Sequence, residues 1–442
     1  MKKILFFGNP FYTKLTEGLA SDKFTAIYAT LEHKQAEIII NRGDIMVGCF
    51  EDLFDTIPVV DVIDPNYLHT CFASDRYLQR FPLDKRYEIL GKEIVFWRAI
   101  LEEHRPDFIV NETITLEFTE VLEIEASKLG IHYYSFLPNF LPNTFYWKDS
   151  PYNSQFNDLS GEVTCKHVQL ANEYINKIRN EEEKPFFVRD LKKYSHFSNL
   201  KRIVTNTIPH YLYYRLQEIR HSGFKYISNS MEAKWTLKRQ ISLLYNNYDR
   251  PQWEDTKEYV FYPLHFEPEA TLSYFVDPYV DQSVVIETIA RALKTNQVLI
   301  VKEHPQQLGA LFENKYQLIK KRNSNILYLS GEITSEEVSR HTSLLVTLTG
   351  TAGWEAYIRK KRVIVLGNVF YDKFHGVNKC SLSELKDYIR NDKFLEFNDD
   401  DVLQAVSFMM SRAKVGSPYP YKFVSWEQKR SDLKNRIEEI IS

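Results

Sequence analysis

The sequence predicts an α/β protein with two Rossmann-like lobes facing a cleft, a helical basic connector between them, and a closing C-terminal helix. Three observations carry that prediction. Short apolar runs alternate with amphipathic stretches in both halves of the chain, which implies right-handed βαβ units and mostly parallel sheets. The middle, from about residue 151 to residue 249, breaks the alternation and reads as helix. The length of 442 residues suits two or three domains of roughly 150 residues, or one large two-lobed enzyme.

In order along the chain, Lys2–Phe7 reads as a buried strand, and the polar turn Gly8-Asn9-Pro10 ends it. An apolar run this short does not make the ~7–15-residue core of a signal peptide. Thr25–Tyr28, Pro58–Ile63, Phe108–Val110 and His132–Ser135 read as further strands, with Tyr87–Glu103 and Glu117–Leu129 as helices packed on them. Glu162–Glu183, Asn206–Ile219 and Ser230–Tyr245 are the helices of the middle. Alternation resumes at Lys257. Strands are expected at Tyr259–Pro263, Gln297–Lys302, Ile326–Leu329, Ser343–Leu348 and Arg362–Leu366. Asp281–Leu293, Gly309–Lys320, Ser335–His341 and Gly353–Arg359 are the helices between them, and Ser425–Ile441 is the closing amphipathic helix. The expected domains are an N-terminal Rossmann-like lobe (1–150), the helical basic and aromatic segment (151–250), a C-terminal Rossmann-like lobe (251–400), and C-terminal helices packing back across the lobes (401–442).

Composition excludes several classes. Apolar residues at 44% and charged residues at 26% describe a globular chain rather than a disordered one. A net charge of −3 argues against a generic nucleic-acid binder. Glycine, at 15 residues, stands at about half the usual ~7%, so each glycine carries weight. Cys49, Cys71, Cys165 and Cys380 are scattered without a C-x-x-C pair, which indicates neither a zinc ribbon nor a disulfide framework and fits reduced thiols in a cytosolic protein. No segment approaches the ~18 apolar residues of a membrane span. Between Lys184 and Arg239, however, twelve Lys and Arg face three acids, Asp190, Glu218 and Glu232. Phe186, Phe187, Tyr194, Phe197, Tyr211, Tyr213, Tyr214, Phe224 and Tyr226 interleave with them. The segment is either a connector with a solvated basic face or a peripheral surface for anionic lipid, where each cation near a membrane contributes ~1 kcal/mol. The expected location is cytoplasmic, with the second reading placing the protein on the inner face of the cell membrane.

In an open parallel sheet, ligands bind beyond the carboxyl ends of the strands. Three clusters of the second half fall there. The first is His265-Phe266-Glu267-Pro268-Glu269, dense in ionisable groups that can serve as general acid, base or nucleophile. The second is Lys302-Glu303-His304-Pro305, which reads as a strand-terminating turn or as a cation and imidazole for a phosphate or carboxylate. The third, Thr349-Gly350-Thr351-Ala352-Gly353-Trp354-Glu355, reads as a tight strand-to-helix turn or as a helix N-terminus for an anion, with Thr349 and Thr351 adding hydroxyls. Glu355 then either compensates the helix dipole or accepts from ribose hydroxyls. In the first half, Glu112 reads equally as an acceptor-activating base or a capping acid, and Gly8-Asn9-Pro10 is placed to line the acceptor side. The P-loop pattern, a strand-bound G-x-G-x-x-G, H-E-x-x-H and G-x-S-x-G are absent from the sequence. Asp399-Asp400-Asp401 contains a D-x-D triplet, but it precedes an apolar periodic stretch and reads as a helix cap. Neither a metal nor a cofactor is expected.

These residues carry a family resemblance. Phe261–Ala270, then Lys302-Glu303-His304-Pro305, then Thr349–Ala356, then Gly367–Tyr371, in that order and spacing, resemble the bacterial capsule polysaccharide biosynthesis family, which includes the Kdo transferases that build lipid-linked capsule primers. The resemblance covers about Lys257 to Tyr371. It implies a GT-B-like glycosyltransferase of capsule or lipopolysaccharide assembly that moves a sugar from a nucleotide-activated donor, CMP-Kdo or a related CMP-ulosonic acid, to a lipid-linked or glycan acceptor. It also implies that Lys302 and His304 contact the donor phosphate, that Pro305 belongs to the same nucleotide-sugar site, that Thr349, Gly350 and Thr351 cradle the phosphate, and that Glu355 holds the ribose. His265, Glu269 and Glu112 are the catalytic candidates. Some relatives are retaining and use an aspartate nucleophile. Asp277 and Asp281 lie near the first cluster without a motif of their own. Two rival readings stand beside this one: a UDP-sugar-dependent transferase or epimerase, and a non-catalytic glycan-binding component of capsule assembly.

Overall fold

The apolar run after Met1 forms a buried strand, β1 (Lys2–Gly8), in the computed structural model of the chain. The structure describes residues 1–10, 12–60, 63–64, 67, 75–141, 143–148, 150–180, 195–220, 223–267, 270–276, 281–416 and 424–441. β1 is followed by β2 (Phe24–Thr30), β3 (Ile45–Cys49), β4 (Phe108–Glu112), β5 (His132–Pro138) and β6 (Thr144–Lys148). They form one sheet in the order β6-β5-β4-β1-β2-β3, parallel except for β6. Leu5 of β1 sits in register with Ile27 on one side and Ile109 on the other, and the successive side chains Ile4, Leu5, Phe6 and Phe7 are all buried, so both faces of the strand are covered and it reads as a continuous apolar run.

The second sheet repeats the plan. β7 (Glu258–Pro263), β8 (Gln297–Lys302), β9 (Ile326–Leu329), β10 (Leu344–Thr347), β11 (Arg362–Val365) and β12 (Val377–Lys379) are all parallel, in the order β12-β11-β10-β7-β8-β9. In each sheet the chain begins at the centre, runs to one edge, and returns to fill the other. The order therefore reverses between β1 and β4 in the first sheet and between β7 and β10 in the second. Such a switch point leaves a crevice beyond the carboxyl ends of the two strands. A further strand, β13 (Lys414–Val415), adds antiparallel to β6.

Two units result. The first comprises Met1–Ser154, Ser222–Ser228 and Arg412–Ser442, and the second Gln155–His221 and Asn229–Ser411. The segment expected to stand alone at 151–250 is thus shared out between the two sheets. Its helix Cys165–Arg179 joins the second unit, where Arg179 donates to the Ile358 carbonyl at 2.9 Å and Arg359 to the Ile178 carbonyl at 3.1 Å. The stretch Ser222–Ser228 joins the first. There Phe224 stacks on Phe54 at 3.8 Å, and the Tyr226 hydroxyl donates to Asp75 at 2.7 Å. The expected C-terminal pair divides too: the helix Asp399–Arg412 lies in the second unit, and Trp426–Ile441 sends Leu433 and Ile437 into the core of the first.

One strand of the sequence reading is corrected. Pro58–Ile63 was expected in the first sheet, but residues 58–60 lie outside any strand. Val59 and Val60 instead pass over the helix Leu83–His104 at Gly91, where an added Cβ would meet Val59 at 3.0 Å. The sheet position belongs to Ile45–Cys49. Its Gly48 gives way to Ile100 and Phe96, and its pairing to β2 is irregular at Tyr28 and Ala29, so its apolar signal is short.

Candidate functional site

The switch point of the second sheet is built around His265. Leaving β7, the chain places His265 in the interior, 8% exposed, with its backbone N–H donating to the fully buried Gln282 side chain at 2.8 Å. The ring reaches across to the turn after β10. His265 Nε2 accepts from the Thr349 backbone N–H at 3.1 Å and lies 3.3 Å from Thr347 Oγ1, which in turn accepts from the Gly350 N–H at 3.0 Å. Because Nε2 accepts, the neutral ring carries its proton on Nδ1, which is buried without a hydrogen-bond partner of good geometry. Burial, with the neighbouring His304 second, pushes His265 down to about 4.

The turn itself is held from below. The Tyr371 hydroxyl donates to the Gly350 carbonyl at 2.5 Å, and a Cβ at Gly353 would come within 2.2 Å of that hydroxyl. A Cβ at Gly350 would meet Thr347 Oγ1 at 2.8 Å. Both glycines therefore serve close packing of the turn. With the Thr349, Gly350 and Gly353 amides engaged, the amides of Thr351 and Ala352 open the helix Thr351–Ile358 with no hydrogen-bond acceptor among the described residues. That is the anion-binding pair a helix N-terminus offers.

β8 delivers the second cluster to the same edge. Lys302 is buried, its ammonium donating to the Glu303 carbonyl at 3.1 Å, and burial pushes it down to about 8. His304 packs edge-on against Phe266, and its Nδ1 accepts from the Gln306 N–H at 3.3 Å, which leaves the proton on Nε2. Burial and then the Lys302 charge hold His304 down at about 4. It is a neutral donor near pH 7. Pro305 begins the turn that the Gln307 N–H closes onto the His304 carbonyl at 2.9 Å. Glu355, raised to about 7 by burial, lies 3.6 Å from Arg359 and within the field of Lys302. His265, His304, Lys302 and Glu355 thus form one electrostatic group, each sensing the next.

Other candidates settle differently. Glu303 turns inward: its carboxylate accepts from the amides of Gly309 at 2.8 Å and Leu311 at 2.6 Å and from the Tyr248 hydroxyl. Glu267 is tied to Lys315 at 3.3 Å and to the Tyr316 hydroxyl at 3.1 Å. Asp281 caps the helix Gln282–Ala292 through the Ser283 N–H at 2.7 Å. Glu269 and Asp277 lie outside the described residues. Asp401 accepts from the Asn398 N–H at 2.8 Å, which is the capping role, and Asp399 pairs with Arg179 at 2.8 Å. Among the described residues no group of three or more His, Cys, Asp or Glu is placed to hold a metal ion.

In the first unit, Asn9 and Glu112 meet at the β1–β4 switch point. Asn9 Nδ2 donates to the Glu112 carboxylate at 2.9 Å, and Thr115 adds a longer bond at 3.4 Å. Burial raises Glu112 to about 7 against those bonds. A carboxylate that titrates near neutrality can take or give a proton there.

A sequence profile described as "capsule polysaccharide biosynthesis protein" matches residues 164–385, half of the chain. The chain belongs to the capsule polysaccharide biosynthesis family. The match spans both strand-end clusters and the glycine turn, so the second-sheet part of the site lies within the matched region, and Asn9 and Glu112 lie outside it. No curated protein matches the chain by sequence. Among solved structures, the chain is similar to two KpsC transferases from Thermosulfurimonas dismutans. The β-Kdo 2,4 transferase is 12% identical over 76% of this chain and 88% of that one, with a TM-score of 0.41. The β-Kdo 2,7 transferase is 12% identical over 93% and 99%, with a TM-score of 0.39. A UDP-GlcNAc 2-epimerase from Methanocaldococcus jannaschii is 15% identical over the whole of both chains, with a TM-score of 0.31.

Gln282, Tyr371 and the inward Glu303 are what sequence reading missed. Gln282 is one amide among many until the fold brings it under His265. Tyr371 closes the Gly367–Tyr371 run, a pattern visible in the sequence but without a chemical signal.

Proposed function

We propose that this family member is a glycosyltransferase of bacterial surface-polysaccharide assembly, and that the carboxyl edge of its second sheet binds the phosphate of a nucleotide-sugar donor. The carrying observation is the grouping of Lys302, the His304 Nε2–H and the open Thr351 and Ala352 amides at one switch point, inside the family's matched region. A buried ammonium, a neutral N–H donor and a helix N-terminus suit a departing phosphate, since donors fixed where charge develops need no reorganisation. Lys302 supplies charge, His304 a directed hydrogen bond, and Glu355 an acceptor for ribose hydroxyls. His265 orders the glycine turn: its accepting nitrogen is committed to Thr349, so the role of acid or base passes to other groups. Glu112 is the acceptor-activating candidate of the first unit. We assign the donor to the CMP-ulosonic acids, CMP-Kdo first among them, and the acceptor to a lipid-linked or glycan chain, on the family resemblance of the strand-end motifs.

The test is a binding titration of purified protein with CMP, UDP, GDP and ADP, repeated with His304→Ala, followed by transfer assays with CMP-Kdo. Selective CMP binding that His304→Ala removes, and transfer reduced at least 100-fold, about 2.7 kcal/mol of transition-state stabilisation, is the expected result. A UDP preference moves the donor to a hexose or hexosamine. Unchanged transfer by a folded His304→Ala protein defeats the phosphate role.

A further inference from the structure

In the second unit, the helices between residues 196 and 220 are built inside out. His196–Arg202, the π-helical turn Ile203–Thr207 and Ile208–Arg220 run on without interruption. What they turn toward the neighbouring helix Asn229–Tyr245 is largely polar. Asn199 donates to the Gln240 carbonyl at 2.7 Å, Thr207 bonds the Gln240 side chain at 2.7 Å, and Glu218 accepts from the Ser230 N–H at 3.2 Å. What they turn outward includes an apolar stripe, Phe197, Leu200, Val204, Ile208, Leu212, Leu216 and Ile219, with Phe197 80%, Val204 58% and Ile219 65% exposed, beside exposed polar residues such as Ser198, Thr205, Asn206 and His210. Ile208–Arg220 has no buried residue over its length.

These side chains recur every three or four residues. An α-helix turns a fourth-residue repeat slowly off one face, and a π turn advances less per residue and brings it back. The Ile203–Thr207 turn therefore keeps Phe197 and Leu200 in line with Leu212 and Leu216. A soluble helix ordinarily reverses this arrangement, with its apolar stripe against the core. Charge says what covers the stripe. Lys201, Arg202, Arg215 and Arg220 are exposed on the same helices, and their one acid, Glu218, accepts from Ser230 and lies 3.8 Å from Arg215, which leaves the face net positive. A second copy meeting this face would bring like charges together. An apolar stripe bordered by cations matches the interface of an anionic bilayer.

We propose that the face formed by Phe197, Leu200, Val204, Leu212, Leu216 and Ile219 docks flat on an anionic lipid surface, with Lys201, Arg215 and Arg220 against the headgroups. No helix among the described residues is long and apolar enough to cross a membrane, so the contact is interfacial. The continuous basic and aromatic surface expected over 184–239 is thereby narrowed. Phe224 and Tyr226 are packed in the first unit, and Phe186, Phe187 and Tyr194 lie outside the described residues. The proposal stands independently of the transferase reading, because it needs no substrate.

The test is flotation of the full chain with phosphatidylcholine vesicles, with and without phosphatidylglycerol. The wild type is expected to float with the phosphatidylglycerol vesicles and to release at high salt. Leu212→Glu with Leu216→Glu, and separately Arg215→Glu with Arg220→Glu, each retain at least tenfold less protein while keeping the wild-type circular dichroism. No wild-type flotation, or equal flotation by the Leu212→Glu/Leu216→Glu protein, overturns the proposal. So does a wild-type dimer that this pair splits without any lipid retention, which would assign the face to a second copy.

Discussion

His265 and Thr349 lie 84 positions apart, and the Nε2 of one accepts the backbone N–H of the other at 3.1 Å. That bond joins the segments leaving β7 and β10, the two strands between which the order of the second sheet reverses. The turn that follows, with its open Thr351 and Ala352 amides, is held in place by a ring that carries no charge near neutrality.

Removing that ring leaves the Thr349 amide unpaired and a void behind it. His265→Ala is expected to cost about 2–4 kcal/mol of stability, read as a shift of the urea midpoint with an unchanged slope. A loss below 0.5 kcal/mol, on the order of a surface substitution, counts against the tie.

The same residue sets a pH dependence. Its folded pKa, about 4, lies below the ordinary 6.5, so between those values the unfolded chain binds the proton that the folded chain refuses. The stability contribution is present above pH 6.5 and is lost as the pH falls toward 4. The advantage of wild type over His265→Asn should therefore shrink by up to roughly 3 kcal/mol across that window. Urea titrations of both proteins at several pH values measure it.

Gly353 and Tyr371 make a second pair. An added methyl at Gly353 would come within 2.2 Å of the Tyr371 hydroxyl, so Gly353→Ala forces a displacement costing about 1–3 kcal/mol. Tyr371→Phe removes the clashing oxygen along with its bond to the Gly350 carbonyl. The double variant is expected to lose less than the sum of the single losses. Strict additivity in that cycle would show that the two side chains do not meet.

If Lys302 meets the donor phosphate as proposed, it sets a limit to nucleotide binding on the alkaline side. With its pKa lowered to about 8 by burial, it is charged at pH 7 and neutral at pH 9. The dissociation constant for a nucleotide is expected to rise about fivefold from pH 8 to pH 9, and Lys302→Met should flatten the profile at weak affinity. Calorimetry across that range checks both curves.

Glu93 offers a test remote from the site. It is wholly buried beside Glu117 and Asp75, and burial followed by those charges raises its pKa well above the ordinary carboxylate value. A group whose folded pKa is raised destabilises the fold as the pH climbs past the unfolded pKa. Glu93→Gln should raise the melting temperature at pH 8 and leave it nearly unchanged at pH 4, at roughly 2–4 °C for each kcal/mol gained.

The α/β class and the clusters at the strand ends were legible in the sequence by itself, for reasons of short range. A parallel strand buried on both faces must be an apolar run, as in Gln297–Lys302 and Ile326–Leu329, and the residues just past such runs fall on the carboxyl edge. Irregular pieces escaped it. Ile45–Cys49 carries a glycine and an uneven register, and Pro58–Val60 is apolar because it packs on Gly91 rather than in a sheet. Tertiary structure alone decided which polar groups remain open. His265 looked like a free acid or base, and Glu303 looked like part of the phosphate cluster. One gives its lone pair to Thr349, and the other gives its oxygens to Gly309 and Leu311. A hydrogen bond depends on direction and distance between groups far apart in the chain, and only the packed fold sets those.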